Sequence, residues 1–403
     1  MELFWLEHKK LWRKKIVKIC VLLCFVYCVI FGSILSFQWF CFGSSDDYTS
    51  AFGNNFDGYT VIKDSQEYAL SFGGELTDET LQQIVSDYQQ MEADGMEEEL
   101  EKTDWQIVNS WLGTLYPELR DTSNYKTMIS YVDPDKLTGF YERRQQVLDE
   151  FLEVSGQVGA EKEFLHQIER KVEKPFHYEW VEGWSTLLGS TVADLGVVMA
   201  LFLGIVLSSL FAGEWHDNTS TLVLTTRNGW GKIALAKILT GLAFTVELFA
   251  LLAVSSVISQ LFFMGTAGWD MPIQNIKLIA VAPMNMLQAE IYEYAFVLLG
   301  AIGFAGIVMF ISAAVKNNVL TLLLSLAVVY GPMMIAEYLP YGMQKALDLI
   351  PLVGSSTDIF RTNTFRILGK LIWSPYLLIT IPVLIGILCM PFAIKSWSRR
   401  MKA

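Results

Sequence analysis

Carboxylates embedded in apolar sequence are the first residues to examine for chemistry. Glu247 stands inside the run Ile233 to Met264, and Asp194 near the start of the run Leu187 to Ala212. A carboxylate within a bilayer is costly and normally faces a protein interior or a watery path. Glu247 lies ten residues past Lys237, which at the rise of a helix is about 15 Å, near the middle of a span. That makes it a candidate for a substrate path or for pairing between helices; a protonated carboxyl in a plain interhelical hydrogen bond is the structural alternative. Asp194 lies nearer an outer surface, where reaching water suffices. The two stand on different runs at different depths, so they do not make the catalytic pair that an intramembrane enzyme needs.

Other chemistries are poorly represented. No segment matches the phosphate loop G-x4-G-K-[ST]; Gly231-Lys232-Ile233 and Gly369-Lys370-Leu371 lack both the hydroxyl residue and the upstream glycine. Cys20, Cys24 and Cys28 share a helical face at i, i+4, i+8 and read as small apolar packing residues. His166 and His177 lie near carboxylates without the spacing of metal ligands and read as surface or core residues. The chain is therefore expected to hold no catalytic residue, no metal and no cofactor of its own.

One polar stretch between apolar runs, residues 213–232, is more informative. It contains Glu214, Trp215, His216 and Asp217, then Leu222 to Leu224, then Arg227 and Lys232. Asp217 to Ser220 can cap a short helix on which Leu222, Val223 and Leu224 form a small apolar knob. Glu214, His216 and Arg227 offer charge contacts to a partner at the membrane surface. A plain connecting loop is the competing reading.

The elements that must hold these residues are membrane helices. Of 403 residues, 52% are hydrophobic, which places the chain in the membrane class. Six runs are long enough to span: 19–42, 187–212, 233–264, 294–315, 319–336 and 371–394, with Pro375, Pro382 and Pro391 kinking the last. Lys9, Lys10, Arg13, Lys14, Lys15 and Lys18 before the first run, and Lys395, Arg399, Arg400 and Lys402 after the last, place both termini in the cytoplasm. The loop 213–232 then falls inside, and 43–186 forms an extracytoplasmic domain. Lys345, Arg361, Arg366 and Lys370 would lie outside, against the charge rule.

Charge agrees with this division. Residues 43–183 hold 30 acidic and 11 basic residues, and the remainder 12 and 19, within a net charge of -12. The domain contains no cysteine, so it folds without disulfides. Its character is mostly helical, with strand or turn around Asn54 to Lys63. One helix is expected at Thr77 to Glu101, capped by Thr77 or Asp78 and interrupted at Gly95. Another is expected over Gly139 to Val172, broken at Ser155 to Gly159, with Trp105, Trp111, Leu112, Leu115, Tyr116 and Tyr125 as core contacts between. Residues 1–18 mix Phe4, Trp5, Leu6 and Trp12 with cations, as a helix lying in the cytoplasmic interface does. The segment 337–373 either dips into the outer leaflet or packs on the external domain. The overall class is mainly α: a polytopic membrane protein of six spans, with a domain in which α+β structure is also possible, 187–394 forming a five-helix membrane region and 395–403 a tail.

The order Glu214, Thr219, Leu222 to Leu224, Arg227 and then Lys237 resembles the ABC-2 type permeases, whose pattern runs roughly E-x-x-x-G-T-x-x-x-L-L-x-x-P-x-S-R followed by a lysine. Asn218 stands where that pattern has glycine, and Thr225 and Thr226 where it has proline. The topology, an interfacial helix, one span, an external domain and five spans, is similar along nearly the whole chain. The resemblance implies a permease subunit of an exporter in a bacterial plasma membrane. It would pair with a second permease, identical or homologous, and with two cytoplasmic ATPase subunits that bind ATP and Mg. The coupling residues would be Glu214, Trp215, His216, Asp217, Leu222, Leu224 and Arg227. Lipid is a partner and nucleic acid is not. The cargo class is open: a peptide such as an antimicrobial, an amphiphilic compound or an ion. A receptor or immunity protein whose external domain captures a ligand without transport is the alternative.

Overall fold

The computed structural model describes residues 2–31, 66, 73–95, 105–121, 126–217, 219, 231–353 and 363–399. Helix α1 (Glu2–Arg13) passes through Lys14 into α2 (Lys15–Phe31). Trp5 and Leu6 are 62% and 63% exposed on α1, while Leu11 is buried, so the helix presents apolar side chains outward beside its cations, as interfacial helices do. The first predicted span, 19–42, is described only as far as Phe31, along α2.

The polar region forms a small helical domain closed by one short ladder. Strand β1 (Gly74–Leu76) leads into α3 (Asp78–Ala93), followed by α4 (Trp105–Leu115), α5 (Phe140–Val154), α6 (Ala160–Glu169) and β2 (Phe176–Tyr178). β1 and β2 pair antiparallel with Gly74 opposite Tyr178. Thr77 caps α3 by accepting from the Thr80 amide at 3.2 Å, the favoured N-cap chemistry. Asp78 accepts from the amides of Gly139 and Phe140 at 2.7 and 2.9 Å, so one carboxylate satisfies the start of α5 as well. α3 ends at Asp94, where Gly95 turns the chain at φ 77°. Leu81, Ile84, Val85, Trp111, Leu112, Leu115, Tyr116, Phe140 and Phe176 make the core. The segment 54–63, Gly95's continuation to Glu101, and Tyr125 lie outside the described residues.

After β2 the chain runs through a single π turn, Leu187–Thr191, into α7 (Val192–His216). Then come α8 (Gly231–Met264), α9 (Met286–Val315), α10 (Asn318–Ile335), the short α11 (Tyr341–Leu347), strands β3 (Thr364–Ile367) and β4 (Lys370–Trp373), and α12 (Ser374–Arg399). Among the described residues five helices, α7, α8, α9, α10 and α12, are long and apolar enough to cross a membrane. Apolar side chains on their outer faces, among them Ile258 at 63% and Phe262 at 76% exposure, match a hydrocarbon rather than an aqueous surround. The protein is mainly helical, and these features are compatible with a multi-pass membrane protein.

Several boundaries differ from the sequence expectation, for local reasons. α9 begins at Met286 instead of Tyr294 because Asn285 and Gln288 form a capping box. This extension carries Glu290 and Glu293 into the helix, and both are buried. α12 begins at Ser374 instead of Leu371: residues 370–373 pair with 364–367 across Leu368 and Gly369, whose φ values of 50° and 80° are those of a tight hairpin turn. Within 337–373, the described strand β3 touches the polar domain. Arg366 meets Glu161 at 2.6 Å, the Thr364 hydroxyl donates to Gln157 at 2.8 Å, and Lys345 donates to the Thr364 carbonyl at 2.8 Å. Arg366 and Lys345 thus have protein partners.

Packing between spanning helices depends on small residues at one crossing. A Cβ on Gly306 would lie 2.5 Å from the Gly386 carbonyl oxygen, so α9 and α12 touch backbone to backbone. α12 continues unbroken through Pro382 and Pro391. At the opposite end from the α7–α8 loop, the domain is tied to the bundle by buried bonds. Trp180 Nε1 donates to the Met264 carbonyl at 3.1 Å, and Trp111 Nε1 to the Asn275 carbonyl at 3.1 Å. Arg144, fully buried, donates to the carbonyls of Leu278 and Ala280 and pairs with Glu169 at 2.6 Å.

Candidate functional site

The end of α7 and the start of α8 meet under α1 in a cluster of ions. Glu214, in the last turn of α7, accepts from Lys10 Nζ at 2.6 Å, from Lys237 Nζ at 2.9 Å and from the Thr219 hydroxyl. Lys237, two turns into α8, also donates to Glu7 at 2.9 Å. Glu214 and Lys237 are 4% and 2% exposed, so this is a buried, branched network of alternating charge. Removing one partner from such a network leaves an uncompensated buried charge, which is strongly destabilising.

Spacing within α1 explains its share. Glu7, Lys10 and Lys14 follow one another at three and four residues, so they line one face of a helix. Lys14 Nζ donates to Ser209 Oγ at 2.9 Å, which fastens the junction of α1 and α2 to α7. Burial, with the neighbouring ammonium groups of Lys237 and Lys10, pushes the Lys14 pKa down. For Lys10 burial acts the same way, but the hydrogen bond and charge of Glu214, with Glu7 and Asp217, outweigh it and hold the ammonium above its ordinary pKa. A small cavity of about 30 Å³ remains among Glu7, Lys10, Lys14, Ser209, Glu214 and Asp217.

α7 is held from the other side by α9. Ser312 Oγ accepts from the amides of Phe211 and Ala212, at 3.1 Å each, and donates to the Ser208 carbonyl at 2.7 Å. Trp215 packs on Trp397 of α12 with ring centroids 6.1 Å apart, and Lys316 Nζ sits 4.1 Å over its ring, a cation–π contact. Four neighbouring elements therefore converge on residues 208–215. His216 and Asp217 differ: their side chains are 74% and 68% exposed and touch each other at 3.1 Å.

The structure thus brings together Glu214, Trp215, His216 and Asp217 of the sequence candidates, the first two inside and the last two outside. Leu222, Leu224 and Arg227 lie outside the described residues. Glu247 accepts from Trp12 Nε1 at 3.0 Å and meets His8 Nε2 at 3.1 Å, at 43% side-chain exposure. Its partners come from α1, which sequence spacing within a span cannot indicate. Trp12 also packs edge-on against Phe244, a turn earlier on α8. His166 pairs with Asp149 at 2.9 Å, and no group of three metal-binding side chains occurs among the described residues.

Sequence reasoning missed Glu7, His8, Lys10, Ser312 and the buried pair Glu290 and Glu293 as structural participants. An acid within the cationic N-terminus was the available signal for Glu7, and the Asn285–Gln288 capping pattern that for the two glutamates. Comparison with protein-family models, curated proteins and solved structures gives no match.

Proposed function

We propose that this chain is the permease subunit of an ATP-driven exporter of the ABC-2 type, moving a peptide, an amphiphilic compound or an ion across a bacterial plasma membrane. In this reading both termini are cytoplasmic, six spans cross the bilayer, and residues 43–186 lie outside. Two ATPase subunits carrying ATP and Mg bind at the loop 213–232, and a second permease completes the path.

The observation that carries the reading is the ion cluster at the root of that loop. Both ends of the loop are clamped, at Glu214 and at Lys237, and the same two side chains bind Glu7 and Lys10 of α1. Force applied to the loop therefore acts on α1, α7 and α8 together. His216 and Asp217 stay free to face a partner. The chain has no phosphate loop of its own, so energy must enter through such a contact. A ligand or partner shifts a conformational equilibrium only by its differential affinity for two states, and here the partner's nucleotide cycle supplies the difference.

The test is affinity purification of the full chain in detergent from its native host, with mass spectrometry of partners and an ATPase assay. An ATPase that co-purifies and whose activity falls on Arg227→Glu is expected. A chain recovered alone, without ATPase activity, would overturn the proposal in favour of a ligand-capturing receptor.

A further inference from the structure

We infer that Glu290, with Glu293 beside it, binds a hard monovalent cation, a proton or a sodium ion, inside the helix bundle where it meets the polar domain. Among the described residues four acids are buried: Glu169, Glu214, Glu290 and Glu293. The first two are each matched by two cations, Glu169 by Arg144 and Lys174, and Glu214 by Lys10 and Lys237. Glu290 differs. It is 3% exposed, no cation pairs with it among the described residues, and neither of its carboxyl oxygens has a hydrogen-bond partner.

The start of α9 explains the burial. Its capping box at Asn285 and Gln288 carries Glu290 and Glu293 into regular helix, and Met286 and Ala289, a turn before them, pack in one core with Leu148 and Leu152 of α5. Three residues apart on a helix, the two acids are neighbours, with about 5–6 Å between their Cβ atoms. Tyr294, one turn past Glu290, brings its hydroxyl near that carboxyl. The same hydroxyl meets Ser256 Oγ of α8 at 2.9 Å, and Ser256 is fully buried.

Charge and donor type decide what fits. An ionised carboxylate sealed from water without a partner costs far more than a lost hydrogen bond, and a second acid three residues along raises that cost. A carboxylic acid kept for packing alone donates its proton to a neighbour, as buried polar groups do, and Glu290 has no such neighbour. Glu293 has an interaction of its own, so the unmet charge is that of Glu290, and one positive charge answers it. The side-chain atoms around it that can bind a cation are carboxyl, phenol and hydroxyl oxygens, the set that suits hard ions.

The inference concerns the bundle alone and its test needs no ATPase, so it stands or falls apart from the exporter reading. On the full chain in detergent near neutral pH, infrared absorption reads protonated carboxyl groups, and Tm is compared in sodium chloride and in choline chloride at equal ionic strength. A bound proton gives a protonated-carboxyl band that Glu290→Gln abolishes. Bound sodium gives no such band and raises Tm by about 3 °C or more, an increment that Glu290→Gln abolishes. Either result supports the inference and identifies the ion. Glu150→Gln, at an exposed acid of α5, should change neither reading. Should Glu290→Gln not fold, Glu290→Asp, which draws the carboxyl back by one methylene, should move the band or reduce the sodium increment. A wild-type chain with neither band nor increment, or a band or increment that the Glu290 substitutions leave as it was, overturns the inference.

Discussion

Lys237→Met removes one ammonium while keeping most of the buried stem, so it separates charge from packing. The substitution deletes two hydrogen bonds to carboxylates, one to Glu214 and one to Glu7, worth about 1.5–3 kcal/mol each. Two effects reduce the sum. Glu214 keeps Lys10 and Thr219, and the cost of burying Lys237 itself disappears. Breaking a buried pair by removing one partner costs about 3–5 kcal/mol, and with those offsets the expected loss is about 3 kcal/mol in the docking of α1. Hydrogen exchange of the full chain in detergent reads this directly: amides of residues 2–13 should exchange on the order of a hundredfold faster if they exchange by local opening. Adding Glu214→Gln should cost less than the sum of the two single changes, with a coupling of about 1–3 kcal/mol. Exchange in residues 2–13 that stays within about threefold of wild type, a shift of well under 1 kcal/mol, would refute the view that the cluster holds α1.

Three further outcomes follow from the same structure. Arg144→Met leaves Glu169 with Lys174 alone and frees the carbonyls of Leu278 and Ala280; it should cost about 3–5 kcal/mol, seen as lost exchange protection in both α5 and residues 278–280. Gly306→Leu forces α9 and α12 apart at the Gly386 contact and should lower stability by at least about 1–3 kcal/mol, measured as a fall in Tm in detergent, whereas Gly342→Ala, in open space, should not. The third concerns acid: although burial opposes it, hydrogen bonds and charge from Lys174 and Arg144 hold Glu169 below the ordinary carboxylate pKa. A depressed folded pKa means that this stabilisation is present above the unfolded value, about 4.3, and is lost as pH falls through the lower folded value; thermal unfolding followed from pH 7 to pH 3 should show the wild-type domain weakening below about pH 4.5 and Arg144→Met weakening less.

Local signals in the sequence carried much of the architecture. Thr77 as a cap, Gly95 as an interruption, and the break between α5 and α6 all rest on residues within one or two turns of the feature. Long apolar runs likewise marked all five helices described as able to span. Non-local structure was not readable. β1 and β2 are three residues each and pair across about a hundred positions, and strands that short carry no periodicity. Leu371 to Trp373 look like the start of a helix by hydropathy, and only the partner strand at 364–367 makes them β. The same limit applies at the site. Glu214 stands out by residue type, but the cluster's members Glu7 and Lys10, like the Glu247 partners His8 and Trp12, lie more than 200 residues away in sequence. A carboxylate's neighbours decide whether it lines a path or pins a helix, and for Glu247 those neighbours come from the other end of the chain.

The central claim is that the exposed root of the 213–232 loop faces an ATPase. A photo-crosslinking side chain placed at His216, 74% exposed on its side chain, in cells of the native host tests it most directly, with the same side chain at Val154, 89% exposed on the polar domain, as the control. The account predicts an adduct from position 216 to a protein that carries a phosphate-binding loop, and none to that protein from position 154. No such adduct from 216, or the same adduct from 154, would contradict it.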